Sequence, residues 1–332
     1  MAPPTRRASE RRAEPASGRS APRPPSRPGR TRAGAGRGSP GPRRWAAAAF
    51  AAPLIVYLAA FYAYPLYRNI DLSLHDYTPR AFIQGDPEFV GTAILREVLA
   101  SDAFLPAVAN TAVFTLVSIA VQYGAGLALA VFFRGGFPLS PVLRALFLTP
   151  WLLPMIVSAS TWAWMLNSEN GIVNAVLGGF GLGPVDWLTS PGWALVSVIA
   201  ANVWLGIPFN LVILYSGLQN IPGELYEAAQ LDGAGAWQRF VHITLPQLRP
   251  VSAVTLLLGL VYTLKVVDVI WIMTRGGPGD SSTTLAIWSY RAAFGTGRPD
   301  FSEAAAVGDL LILMALAAGL VYVYLRRREA RP

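Results

Sequence analysis

Apolar residues gather along this chain into six long stretches, at about 45–66, 105–133, 145–167, 193–217, 250–273 and 304–325, with polar or Gly/Pro-rich intervals between them. Each is close to the ~20 residues that an α-helix needs to cross a bilayer at about 1.5 Å per residue. The second is longer than a span requires and is expected to tilt or protrude. The pattern predicts an all-α integral membrane protein with six transmembrane helices and no short-period repeat. One interval stands apart: Pro222 to Pro250, PGELYEAAQLDGAGAWQRFVHITLPQLRP, between the fourth and fifth stretches. Residues Glu224 to Leu231 are good helix formers behind Pro222, and Asp232-Gly233 ends that run with a residue suited to positive φ. A second short helix is expected from about Ala236 to Ile243, stopped by Leu245-Pro246. This helix-turn-helix unit is too polar for the bilayer and is expected to dock onto something outside it.

Composition agrees with the pattern: 53% of residues are hydrophobic and 14% charged, as in polytopic membrane proteins. The absence of cysteine removes disulfides, thiolate metal ligands and a thiol nucleophile. The net charge of +8 is concentrated in residues 1–44, where twelve arginines face only Glu10 and Glu14, so the rest of the chain carries −2. That distribution argues against a nucleic-acid partner. The arginine-rich segment has almost no large apolar side chain before Trp45 and is expected to be disordered. It either binds anionic headgroups of membrane lipid or, as a solvated tail, holds the N-terminus in the cytoplasm. The apolar run that follows exceeds the ~7–15 residues of a signal-peptide core, so cleavage is not expected.

Positive charge fixes an expected orientation. With the N-terminus inside, inner segments hold the twelve tail arginines, Arg134, Arg144, Arg239, Arg249 and four between Arg326 and Arg331, twenty in all; outer ones hold six, Arg68, Arg80, Arg96, Arg275, Arg291 and Arg298. Both termini, the basic 326–332 end and the 222–250 interval are then cytoplasmic. Aromatic residues such as Tyr62, Tyr67, Trp164 and Trp187 fall near the outer boundaries, where an interfacial belt accounts for them. No HExxH, GxSxG or phosphate-cradling GxxxxGKS/T motif occurs, and His75 and His242 fall on opposite sides, so neither metal chemistry nor ATP hydrolysis is expected of this chain.

From Glu227 the interval reads EAA, three residues, Gly233, nine residues, Ile243, one residue, Leu245-Pro246. It resembles the EAA loop of bacterial binding-protein-dependent ABC importer permeases at every position of that pattern. PLYRNIDLSLHDY from Pro65, RALFLTPWLLP from Arg144, NGIVNAVL from Asn170, DWLTSP from Asp186 and DVIWIMTRGGPG from Asp268 are similar to the carbohydrate-uptake branch, the maltose-type and glycerol-phosphate-type permeases. Together these stretches cover nearly everything after Trp45; the arginine-rich tail lies outside the resemblance. It implies that the first helix of the loop is a coupling helix seated in a cleft of a cytoplasmic ATPase. Glu227 would offer a carboxylate to the ATPase, Ala228 and Ala229 would allow close approach, and Asp232-Gly233 would turn the chain. Ile243, Leu245 and Pro246 would anchor the second helix. The chain would bind no cofactor, with ATP and Mg on the partner ATPase. The implied partners are a second related permease subunit, two cytoplasmic ATPase subunits or an ATPase homodimer, and an extracytoplasmic substrate-binding protein. The cargo would be a sugar or related polyol, and the location a bacterial cell membrane.

In maltose-type permeases the sugar sits mid-membrane against the helices before and after this loop. Here Asn202, Gly206, Phe209 and Asn210 share one helical face by the i, i+4, i+7, i+8 rule, with Gly259, Tyr262 and Thr263 across from them. The set suits hydroxyl-rich, ring-shaped cargo, and equally suits interhelical packing. Lys265, Asp268 and Asp309 are intramembrane charges: Lys265 is placed to pair with Asp309 on the neighbouring helix or with Asp268 at i+3, as structural ion pairs. The rival reading is an ion-coupled secondary transporter using these three; it gives no reason for the EAA pattern. An intramembrane enzyme lacks a nucleophile and base.

Overall fold

The computed structural model describes residues 43–77 and 79–329, so the arginine-rich residues 1–42 and the last three residues lie outside the described residues. The chain divides into two units, residues 1–55 and 56–332. In the first, the described residues from Arg43 onward are helical and expose Phe50, Leu54 and Ile55. In chain order the elements are α1 (Ala48–Leu74), the strands β1 (His75–Asp76) and β2 (Glu88–Phe89) flanking α2 (Pro79–Gln84), α3 (Ala93–Ala100), α4 (Phe104–Arg134), α5 (Ser140–Leu152), α6 (Met155–Met165), α7 (Ile172–Gly179), α8 (Pro191–Gln219), α9 (Gly223–Leu231), α10 (Ala236–Leu264), α11 (Asp268–Met273), α12 (Leu285–Phe294) and α13 (Phe301–Glu329). The strands pair antiparallel, His75 with Phe89 and Asp76 with Glu88. The fold is all-α and integral to a membrane. Among the described residues five helices, α1, α4, α8, α10 and α13, are long and apolar enough to cross it, and six spans result if one bent pair is counted.

That pair is the third stretch, 145–167, which is not one straight helix. It is split into α5 and α6, bent by 94°. Leu153 sits at ψ 143 and Pro154 at ψ 133; a proline excludes the α region from the residue before it and offers no N–H to the preceding turn. The stretch 250–273 is broken too: α10 ends at Leu264, Lys265 to Val267 leave the helix, and α11 begins at Asp268.

One proline expected to act as a stop does not. Leu245-Pro246 does not end a short second helix; α10 runs from Ala236 through it. Phe240–Thr244 is a π segment in which the Leu245 N–H reaches the Phe240 carbonyl, five residues back. The widened turn relieves the clash that a proline ring makes with the carbonyl four residues before it. The same device stands ahead of Pro65, where Tyr64 N–H bonds the Ala59 carbonyl.

The helices α4 and α8 form the axis of the interior. Toward one end, Phe114 of α4 and Val198, Ile199 and Ala201 of α8 join Val269, Ile270 and Met273 of α11. Toward the other, Ala130 and Phe133 meet Leu211, Leu214 and Leu218, with Leu248 of α10. Between the two clusters the backbones approach at two glycines. A Cβ on Gly126 would lie 2.5 Å from the Asn210 Cβ, and one on Gly206 would lie 2.3 Å from the Gln122 amide carbon. Gly206 leaves a gap that the Gln122 amide fills, and Gly126 lets the α8 backbone at Asn210 come close, a close packing typical of small residues between membrane helices.

Candidate functional site

A cavity of about 450 Å³ opens between those two clusters. Asn202, Gly206 and Phe209 of α8 and Gly259, Tyr262 and Thr263 of α10 all line it. Asn210 does not line it: only 4% exposed, it packs against Gly126 and donates from Nδ2 to the Gly206 carbonyl at 2.9 Å. The reason is angular. At about 100° per residue, Asn210 stands about 80° around α8 from Asn202, which turns it toward α4.

Both helix breaks border the cavity. Trp151 and Met155 come from either side of the Leu153-Pro154 bend, and Lys265, Val266 and Asp268 from the break after α10. Non-helical backbone at membrane depth is tolerated where it is buried in protein or lines a cavity, so the interruptions and the cavity explain each other. Gln122 donates from Nε2 to the Asn202 carbonyl at 2.9 Å, leaving its Oε1 as an acceptor. The Asn202 Nδ2 is buried without a hydrogen-bond partner in the protein. One wall is aromatic: Trp151 and Tyr262 stand edge-on to Phe209, with centroids 6.3 and 6.0 Å away. Amide groups beside aromatic faces suit a ligand that alternates hydroxyls with apolar C–H surface. Gln122, Trp151 and Met155 come from stretches that periodicity on α8 and α10 cannot reach.

Lys265 and Asp309 take partners other than those expected from sequence. Among the described residues neither Lys265–Asp309 nor Lys265–Asp268 forms an ion pair. Asp309 accepts from the Asn69 Nδ2 at 2.7 Å and thereby ties α13 to α1, away from the cavity. The Lys265 ammonium lies 5.2 Å from the Tyr262 ring centroid, a cation–π distance. Lys265 is the first residue past α10 and Asp268 the first of α11, so the i, i+3 geometry of a continuous helix does not hold between them.

Past the far end of α8 lies the turn. Helix α9 ends in a Schellman arrangement: Ala234 N–H bonds the Ala229 carbonyl, Gly233 N–H bonds Gln230, and Gly233 has φ +79, the left-handed conformation that glycine adopts without penalty. Helix α9 has no buried residue. Glu227, Ala228, Asp232 and Gly233 are exposed and Ala229 is half-buried. Leu231 is 90% exposed. What ties α9 to the bundle is Tyr226, whose hydroxyl meets Thr244 Oγ1 at 2.9 Å and whose ring lies 3.9 Å from the Arg134 guanidinium. Ile243 packs against the cluster of Leu211, Leu218 and Leu248, and Leu245 and Pro246 are half-buried beside it.

At the opposite end of α4, roughly 36 Å away at 1.5 Å per residue, Asn110 Nδ2 donates to the carbonyls of Asp280 and Thr283. Asp280 accepts from Arg291 Nη1 at 2.5 Å and from Thr283 Oγ1 at 3.0 Å. Burial pushes the Asp280 carboxyl up, but Arg291 and the Thr283 hydroxyl together hold it below the usual carboxylate range. Among the described residues no group of three or more His, Cys, Asp or Glu side chains is placed to hold a metal ion.

The family model described as binding-protein-dependent transport system inner membrane component matches residues 122–331. The trehalose/maltose transport system permease protein MalF of Thermococcus litoralis is 36% identical over 276 residues, covering 83% of this chain and 91% of that protein. The sulfoquinovosyl glycerol transport system permease protein SmoG of Agrobacterium fabrum is 32% identical over 275 residues, covering 83% and 87%. A chain from the crystal structure of a bacterial ABC transporter involved in the import of the acidic polysaccharide alginate superposes with a TM-score of 0.73 at 26% identity, covering 87% of this chain and 97% of that one.

Proposed function

The chain belongs to the family of binding-protein-dependent transport system inner membrane components, and from that premise we propose how it divides its work between cavity and turn. It is a membrane-spanning permease subunit of an ABC importer and forms part of a translocation path, with ATP hydrolysis on a separate subunit. The cavity beside Gln122, Asn202 and Gly206 receives the cargo, a saccharide or related polyol, whose hydroxyls meet the amides and whose ring faces meet Trp151, Phe209 and Tyr262. The names of the relatives support a carbohydrate. Helix α9 is the coupling helix: Glu227, Ala228 and Leu231 enter a cleft on an ATPase that carries ATP and Mg. Tyr226 and Ile243 pass its displacement to α10, whose upper part forms the cavity wall. A second related permease completes the path, an ATPase pair drives it, and an extracytoplasmic binding protein delivers cargo. The basic-residue distribution supports both termini and α9 lying on the cytoplasmic side of a bacterial membrane.

The observation that carries this reading is an exposed helix, capped by a glycine in the left-handed region, sitting at the base of the helix that walls the cavity. An ion-coupled reading draws nothing from Lys265 and Asp309, because Asp309 is bonded to Asn69 instead. The test is co-purification of the ATPase subunit with wild type and with Glu227→Lys. Retention of the ATPase by wild type and its loss from the variant is the expected result; equal retention removes Glu227 from the coupling role.

A further inference from the structure

A second pocket, of about 460 Å³, lies between α4, α10 and α13 and is lined by Arg249, Arg326, Tyr322, Tyr123, Ser252 and Leu256 among others. Its depth follows from the sequence of α13, whose apolar run ends at Leu325 against three consecutive arginines, Arg326 to Arg328. That is the level at which lipid headgroups begin. The Arg326 Nη1 donates to the Arg249 carbonyl at 3.1 Å, which holds the two arginines at one height. Tyr123 donates to Ser252 Oγ at 2.7 Å and Tyr322 to the Ala253 carbonyl at 2.5 Å, so the wall behind them is braced. The Arg68–Asp71 and Arg291–Asp280 ion pairs and the His75–Asp71 contact among the described residues involve neither arginine.

Two arginines thus line one pocket, and among the described residues neither is in an ion pair with a carboxylate. Each carries five N–H donors in a fixed fork that matches phosphate geometry, and only one of those on Arg326 is taken up by the Arg249 carbonyl. Like charges held together at a headgroup boundary are relieved by an anion, and basic pockets between membrane helices take phosphate headgroups. The apolar side of the pocket, at Leu256, adjoins the depth at which acyl chains run. We propose that this pocket binds the phosphate of an anionic membrane lipid. The site is separate from the cargo cavity, and no residue lines both. It clips α10, the helix that carries motion from the turn, to α13.

The test uses the complete transporter purified in detergent, stripped of lipid and offered phosphatidylglycerol or phosphatidylcholine with the same acyl chains. Retained lipid is read by native mass spectrometry. Wild type is expected to keep phosphatidylglycerol preferentially, and Arg249→Gln with Arg326→Gln to lower that retention about tenfold. The Arg326 contact to Arg249 uses the backbone carbonyl, so Arg249→Gln leaves its acceptor in place. Ser252→Glu, which adds a carboxylate among the arginines, should lose the lipid as well and carries the test should the double variant fail to fold. Inorganic phosphate in large excess should leave the lipid bound. Equal retention of the two lipids, equal retention by wild type and Ser252→Glu, or displacement by inorganic phosphate alone would each overturn the proposal.

Discussion

Around Gly206 the polar groups are buried and braced from several helices: the Gln122 amide fills the missing side chain, the Asn202 carbonyl holds it, and Trp151 and Tyr262 flank Phe209. Helix α9, which follows α8 directly, buries nothing and hangs on Tyr226. The contrast reflects two uses of free energy. A binding wall has to hold its geometry before the ligand arrives. A docking helix, as proposed for α9, would obtain its burial from the partner, and its apolar Leu231 and its carboxylate at Glu227 stand exposed. On the proposed reading, damage to the first would change what moves, and damage to the second would change whether ATP moves it.

The sharpest way to break this division is Gly206→Leu. The side chain enters the cavity where a single Cβ already meets Gln122, and cargo uptake should fall at least about tenfold while ATPase retention is unchanged. Loss of the ATPase as well would mean that the cavity and the turn are not separable.

Gly126→Ala is the counterpart on the same helix pair, away from the cavity. Its Cβ meets the Asn210 Cβ and backbone rather than the flexible end of a side chain. Thermal unfolding should show a loss of about 1–3 kcal/mol, with the apparent affinity for cargo unchanged in the protein that remains folded. Gly206→Ala should do the reverse, displacing the Gln122 amide at little cost in stability and weakening cargo binding.

At the turn, Gly233→Ala forces a side chain into φ +79 at a cost of roughly 1–2 kcal/mol. Fraying of α9 should lower ATPase affinity up to about tenfold, measured by titrating the ATPase onto the reconstituted permease, with cargo binding intact. The smallest effect belongs to Asp280→Asn, remote from both regions. The carboxyl is held below its ordinary range, so its contribution is complete above the ordinary value of about 4 and is lost as pH falls through the lowered folded value. Because the Asp280–Arg291 pair is well exposed to solvent, the difference should be under about 1 kcal/mol at neutral pH. The melting temperatures of wild type and variant should converge in strong acid.

Much of the fold was legible in the chain because bilayer thickness converts directly into runs of apolar residues. The bend at Leu153-Pro154 and the break at Lys265 were not, since an apolar run records composition and not direction. Pro246 misleads in the other sense: it looks like a stop, yet an i→i+5 turn just ahead lets the helix continue, as it also does ahead of Pro65. Periodicity found the cavity face of α8 but carried it one position too far, to Asn210. Gln122 escaped because a lone amide in an apolar stretch has no partner in sequence; its signal was being polar at mid-helix, where a membrane helix keeps a polar group for a neighbour. Gly233 was legible as a turn because a left-handed cap needs glycine at that position.

The most direct test places cavity and turn in one experiment: ATP hydrolysis, ATPase retention and cargo uptake measured together in proteoliposomes carrying wild type, Gly206→Leu or Glu227→Lys. The account expects Gly206→Leu to keep the ATPase and lose uptake, and Glu227→Lys to lose both ATPase and uptake while still binding cargo. Full uptake by Glu227→Lys with its ATPase in place would contradict it.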